Sequence, residues 1–131
     1  MKEPPVLVDG VRVVSYCSFG TETHPTRRRS IFVDGQQLDL TQVRAVIIGE
    51  NLADGDLMLM HCASNWEPLA SFYCESTAAA EESVSTTYTG GPFHWQQFRE
   101  LTVNELAEVE STRAEVKAWA RAYQERPEDE A

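Results

Sequence analysis

The segment LMLMHCA, residues 57–63, decides the fold, because apolar side chains occupy both of its alternating sets of positions. Successive side chains of a β-strand point to opposite faces of the sheet, so a strand of this kind is covered on both faces. The pattern predicts a central strand with packed structure on each side. The rest of the chain must therefore supply neighbouring strands and covering helices.

Asp-Gly pairs at residues 9–10, 34–35 and 54–55 separate the apolar segments around this strand. A type I′ hairpin turn needs positive φ at both central residues, which Asp tolerates and Gly adopts freely. The first two pairs are predicted to be hairpin turns, and the third lies in a longer connection. A calcium loop is the alternative for the third, but aligning Gly55 with the sixth position of an EF-hand loop puts Leu52 at a ligand position. A leucine cannot bind a cation.

Short segments of strand character fill the first 75 residues and are joined by short connections, which is typical of an antiparallel β-meander of about six or seven strands. The predicted strands are residues 6–8, 11–19, 30–33, 36–40, 43–49, 56–63 and 69–75.

Two helices are predicted in the C-terminal third. Ser76 and Thr77 precede the first, which is expected to end at the Gly-Gly-Pro of residues 90–92. Thr102 and Glu105 have the spacing of a capping box at the start of the second. An apolar stripe follows, with Trp119 beside it and charged residues opposite. The stripe is Leu106, Val109, Val116, Ala120 and Tyr123, and the opposite face carries Glu105, Glu108, Glu115 and Arg121.

This order of elements predicts an α+β fold, an antiparallel β-meander followed by two C-terminal helices packed on the sheet. The length of 131 residues fits one domain. We expect residues 1–126 to form it and residues 127–131 to be an acidic disordered tail. No apolar run approaches a membrane span, and three cysteines are too few for a disulfide framework. A cytoplasmic protein with reduced thiols is predicted.

Charge is the most distinctive bulk property. The 21 acidic and 11 basic residues give a net charge of −10, which disfavours nucleic acid and anionic membranes and favours a basic protein partner. Neither Lys nor Arg occurs from Ala45 to Phe98, so a negative surface is expected there. The candidate partner-binding residues in that segment are Glu50, Asp54, Asp56, Trp66 and Glu67.

The positions of these residues follow from the predicted meander. If the strands alternate in direction, the turns that carry Asp9, Asp34 and residues 50–56 gather at one end of the sheet, and Trp66 lies at the other. A tryptophan in a loop is either folded onto the core or offered to a partner as a binding anchor. Both alternatives are open for Trp66.

Reactive side chains give no selective motif. The histidines and cysteines form no pair with the close spacing of a zinc site, and His61 and Cys62 point to opposite faces of one strand. A Cys-His dyad formed in space is the open alternative. No catalytic residue, metal or cofactor is predicted from the sequence.

Arg27, Arg28 and Arg29 form the one basic cluster of the chain. Three guanidinium groups near hydroxyl side chains can bind a phosphate or carboxylate through paired hydrogen bonds. The competing interpretation is a solvated loop whose arginines pair with nearby carboxylates. The cluster is therefore a weak candidate anion-binding site.

The sequence favours a small acidic protein-binding module, in the manner of immunity or antitoxin proteins that cap a basic toxin. One alternative is a small enzyme or ligand-binding domain with a pocket between sheet and helices, using His61, His94 or the arginine cluster. Another is a structural or assembly subunit, which would self-associate through edge strands or the terminal helix. The sequence does not determine the oligomeric state.

Overall fold

A computed structural model describes residues 2–124 and shows an α+β fold, with a curled antiparallel sheet and two helices, the second of them C-terminal. The predicted fold class is confirmed. The domain boundary at residue 126 and the tail of residues 127–131 lie outside the described residues. The elements are β1 Leu7–Val8, β2 Val11–Ser18, β3 His24–Pro25, β4 Phe32–Val33, β5 Gln36–Gln37, a 3₁₀ turn Leu40–Gln42, β6 Ala45–Asn51, β7 Leu57–Cys62, β8 Pro68–Tyr73, α1 Thr77–Thr87, β9 Tyr88–Thr89, β10 Gln96–Gln97 and α2 Val103–Gln124.

The main sheet has the strand order β1-β2-β6-β7-β8, and all its pairings are antiparallel. The short strand β10 pairs with β2 on the same edge as β1. The predicted central strand is β7, which lies between β6 and β8 and is buried at every residue after Leu57. The prediction of a strand covered on both faces is therefore confirmed.

Alternating side chains of β7 enter two separate hydrophobic cores. Leu59 joins a core that Ala80 and Val84 of α1 cover, and Met58 and Met60 join a second core on the other side of the strand. Trp66 belongs to this second core. Two covered faces explain why β7 needs apolar residues at consecutive positions.

The chain leaves the main sheet between β2 and β6, where the sequence predicted two further meander strands. Those strands exist only as the hairpin β4–β5, which pairs with itself. The reason is that β2 and β6 pair directly along their length, from Val11 with Asn51 to Ser18 with Ala45, so no position in the ladder is free between them. Ile31 and Leu40 flank the hairpin and anchor it in the first core.

The first two Asp-Gly pairs have the backbone conformation predicted for hairpin turns. Asp9 and Gly10 have φ of 49° and 76°, and Asp34 and Gly35 have φ of 53° and 81°, so both pairs have the predicted positive φ of type I′ hairpins. In the longer connection only Gly55 has a positive φ, of 80°.

The starts of both helices are also as expected, but the end of α1 is not. Ser76 caps α1 by accepting a hydrogen bond from the Ala79 N–H at 3.0 Å. The helix ends at Thr87 and not at Gly90, because Tyr88 turns extended and its strand pairs with β3. At α2, the side chains of Thr102 and Glu105 each accept the other residue's backbone N–H, at 3.1 and 2.8 Å, and confirm the capping box.

Candidate functional site

Glu50, at the end of β6, pairs with arginines from distant parts of the chain. Its carboxylate lies 2.9 Å from Nη1 of Arg113 in α2 and 3.9 Å from Nη1 of Arg12 in β2. The local lack of basic residues predicted a negative surface around Glu50. The two arginines, which come from outside that segment, give this surface mixed charge instead. The carboxylate holds α2 against the sheet, which makes Glu50 a structural anchor.

Asp54 and Asp56 lie exposed in the connection between β6 and β7. Asp54 accepts hydrogen bonds from the Asp56 N–H and the Tyr73 hydroxyl, both at 2.9 Å. The Leu52 N–H donates to the Gly10 carbonyl at 3.0 Å, which places the turn with Asp9 beside this connection. Asp9, Asp54 and Asp56 therefore lie at one end of the sheet, which we call the acidic end; Asp34 is in the separate β4–β5 hairpin.

Trp66 is folded onto the core and is not offered to a partner. Its side chain is buried in the second core, and its indole N–H donates to the Lys2 carbonyl at 2.9 Å. The ring also contacts Tyr16 edge to face, with centroids 5.7 Å apart. Of the two alternatives for this residue the structure shows the first, so Trp66 is removed from the candidate surface. Its neighbour Glu67 is exposed at the opposite end of β7 from the acidic end.

Helix α2 is attached to the sheet through its first half. Arg99, just before it, bridges Glu3 and Glu105 at 3.0 and 2.7 Å. Val109 is the one described residue of the helix that is buried, and the Arg113 contact with Glu50 follows one turn later. The attachment of α2 therefore extends from its first turn to Arg113.

The second half of α2 carries exposed aromatic residues, where the sequence predicted an apolar stripe facing the sheet. Trp119 is 68% exposed and Tyr123 61% exposed, and their rings stack with centroids 5.6 Å apart. Val116 and Ala120 are only half-buried. Of the predicted stripe, Leu106 is also exposed, at 49%, and only Val109 is buried, so most of the stripe lies on the surface. We call the Trp119–Tyr123 pair the aromatic end of α2.

Charges are arranged unequally around the aromatic end. Glu115 precedes Trp119 by four residues and lies on its side of the helix, and exposed Glu108 lies one heptad before Glu115. Lys117 and Arg121 continue the row of Arg113, on another side. The carboxylates therefore lie on the side of the helix that carries Trp119, and the cations lie on a different side.

The three residues of the arginine cluster differ in which cavities they border. Arg27, Arg28 and Arg29 are all exposed, and Arg27 has a positive φ of 69°. Arg27 and Arg29 border a shallow cavity with Leu38 and Thr41. Of the three arginines, only Arg29 borders a second cavity, which His61 also lines. The sequence could not distinguish the three arginines, because their directions depend on the loop conformation.

The three thiols lie in or against the hydrophobic cores. Burial raises the pKa of Cys17, Cys62 and Cys74, with that of Cys62 raised to about 12, so all three thiols are protonated at neutral pH. Burial lowers the pKa of His61 to about 4, and its Nδ1 lies 2.8 Å from the Tyr88 hydroxyl. Within residues 2–124, no group of three His, Cys, Asp or Glu side chains is arranged to hold a metal ion.

Comparison with known proteins gives no relationship on which to base a function. No protein-family model, curated protein or solved structure matches the chain significantly. Neither helix of the described part of the chain has the length and apolar character needed to span a membrane.

Proposed function

We propose that this protein is a protein-binding module that binds a basic partner protein through the aromatic end of α2. The observation that carries the proposal is the exposed, stacked pair of Trp119 and Tyr123 on a helix whose apolar stripe buries Val109 alone. Tryptophan and tyrosine are the side chains most enriched at the energetic centres of protein interfaces, because they bury a large area at little cost in side-chain entropy.

The stacking of the two rings also favours this role. A ring pair held at one separation on a helix is already ordered, so a partner that covers it loses less conformational entropy than one that must order two free side chains. An amphipathic helix presented in this way matches the helix-in-groove mode of recognition, in which residues spaced by three, four and seven enter one apolar groove. Val116, Trp119 and Tyr123 have that spacing.

The charge of the protein supports a basic partner. The chain carries −10, Glu115 lies one turn before Trp119 on the same side of the helix, and Asp9, Asp54 and Asp56 are exposed at the acidic end. Such a field accelerates encounter with a positively charged surface and disfavours acidic competitors. Neutralisation of a basic toxin by an immunity-like inhibitor is the form of this function that the size and charge fit best, in a reducing cytoplasm that suits three free cysteines.

The proposal is tested by affinity capture from the native lysate with two baits, the wild-type protein and the double variant Trp119→Ala/Tyr123→Ala. The wild type should retain one stoichiometric basic protein, and the double variant should retain it at least about thirtyfold less tightly, since a central aromatic contributes about 2 kcal/mol or more. Because both side chains are exposed, the variant should keep its melting temperature.

Phe32→Ala serves as the matched control, because Phe32 is 60% exposed on a separate hairpin. Equal retention by wild type and double variant would overturn the proposal. If the double variant instead loses self-association in sedimentation experiments, the same surface joins copies of this chain and the protein is an assembly subunit.

A further inference from the structure

A cavity of about 410 Å³ lies between α1, the end of the arginine cluster and strands β7 and β8. Its walls are mainly apolar, with Ile31, Leu59, Phe72 and Ala80 among them. This volume lies within the range of small-molecule sites, which are typically apolar pockets with a few polar groups at fixed places. None of the described side chains of α2 lines the cavity, which is thus separate from the proposed protein-binding surface.

One polar group at a fixed place is His61 on β7, which is 2% exposed. The Nδ1 atom of His61 is hydrogen-bonded to the Tyr88 hydroxyl at 2.8 Å. The Phe72 ring contacts the imidazole edge to face, with centroids 5.9 Å apart. Among the described residues, none pairs with Nε2. The imidazole is therefore held rigidly in the cavity lining, with one ring nitrogen left for an occupant.

The second polar group is Arg29, an exposed residue that lines the same cavity. No carboxylate of the described part of the chain pairs with its guanidinium. Arg28, its neighbour, does not line the cavity, whereas Glu75 does. An anionic group of an occupant can thus bind Arg29 by charge-assisted hydrogen bonds, and Glu75 disfavours occupants with more than one negative charge.

We propose that this cavity binds a small aromatic monocarboxylate with a hydrogen-bonding group at the end opposite its carboxylate. The carboxylate pairs with Arg29, the ring packs against Phe72 and Leu59, and the far group bonds to Nε2 of His61. Because the low pKa of His61 keeps the imidazole neutral at pH 7, it offers one donor or one acceptor, according to its tautomer. A phenolic hydroxyl satisfies either tautomer.

The test is titration of the full chain with 3-(4-hydroxyphenyl)propionate, followed by nuclear magnetic resonance. Saturable shifts should occur in β7, β8 and α1, and the neutral amide of the same acid should bind at least about tenfold more weakly, since a hydrogen bond between charged groups is lost. The half-buried Cys74 thiol lines the cavity, so its conversion by a small methanethiosulfonate to a mixed disulfide, with release of methanesulfinate, should slow in the presence of the acid.

Matched variants make the test specific. Arg29→Gln should weaken binding of the acid about tenfold, Arg28→Gln should leave it unchanged, and Glu75→Gln should strengthen it. Absence of saturable binding, equal binding of acid and amide, or an unchanged affinity in Arg29→Gln would overturn the proposal. Weaker binding of the acid to Glu75→Gln would also overturn it, because the proposed arrangement has the Glu75 carboxylate repel the acid. Each of these results is independent of the Trp119→Ala/Tyr123→Ala capture experiment.

Discussion

At the scale of single residues, the fold depends on Gly49, a position with no room for a Cβ atom. Gly49 lies in β6 opposite Val13, next to the irregularity between Val13 and Ser15 in the pairing with β2. A Cβ atom added at Gly49 would lie 2.5 Å from both the Arg12 carbonyl oxygen and Cγ1 of Val11. Close approach of the two strands at this point therefore requires glycine, which the sequence alone does not reveal.

We expect Gly49→Ala to lower the free energy of unfolding by about 2 kcal/mol, because a methyl group forced into packed backbone must displace one strand. Urea unfolding followed by circular dichroism measures this. Gly20→Ala is the control, since a Cβ there meets nothing within 4 Å and the φ is not positive. Equal stabilities of the two variants would show that β2 and β6 can separate freely.

The buried imidazole of His61 makes stability depend on pH in a defined window. Its pKa falls from 6.5 when unfolded to about 4 when folded, so the unfolded chain binds more protons between these values. Stability should therefore decrease as the pH falls from about 6.5 towards 4, by up to about 3 kcal/mol from this group.

The comparison variant for this pH effect is His61→Phe, which lacks the group and keeps His24 and His94. Denaturant unfolding at intervals between pH 7 and pH 5 should show a slope in the wild type that His61→Phe lacks. Parallel slopes for the two proteins would mean that His61 titrates normally in the folded state.

At the scale of elements, α2 differs from the other elements in how it is held. Strand β7 is covered on both faces and α1 lies over one core, but α2 buries Val109 alone among its described residues. Its position depends on ion pairs at its start and at Arg113. A helix attached in this way can present its second half to a partner.

We expect the Glu50–Arg113 pair to have a coupling free energy of about 1 kcal/mol in a double-mutant cycle with Glu50→Gln and Arg113→Gln, because both side chains are mostly shielded from water. The Glu110–Arg113 pair is the built-in comparison. Glu110 has a side chain 66% exposed, and its coupling should be under about 0.5 kcal/mol. Equal couplings would argue against Glu50 as the anchor of α2.

At the scale of the whole molecule, the sequence revealed most of the architecture and little of the surface. The hairpins at Asp9 and Asp34, the central strand and the capping box were predictable, because each depends on local backbone chemistry or alternation. The separate hairpin β4–β5 and the pairing of β10 with β2 were not, since they depend on which strand edges remain free. The burial of Trp66 and the exposure of Trp119 were also not predictable, because one tryptophan fits either environment.

The acidic end should act on the rate of association with a basic partner more than on the strength of the final complex. Neutralising Asp9, Asp54 and Asp56 to Asn together should lower the association rate severalfold at low salt and leave dissociation nearly unchanged. Stopped-flow or surface-based kinetics at two salt concentrations measure this. Asp34→Asn, on the separate hairpin, is the control, and an unchanged rate in the triple variant would remove the acidic end from the account.

The central claim, that the aromatic end of α2 is the contact surface, is tested most directly by amide hydrogen exchange on the captured complex and on the free protein. The account predicts slower exchange in residues 114–124 when the partner is bound, with a blue shift of Trp119 emission measured in a protein that carries Trp66→Phe and Trp95→Phe. Unchanged exchange in residues 114–124, with protection confined to another part of the chain, would contradict it.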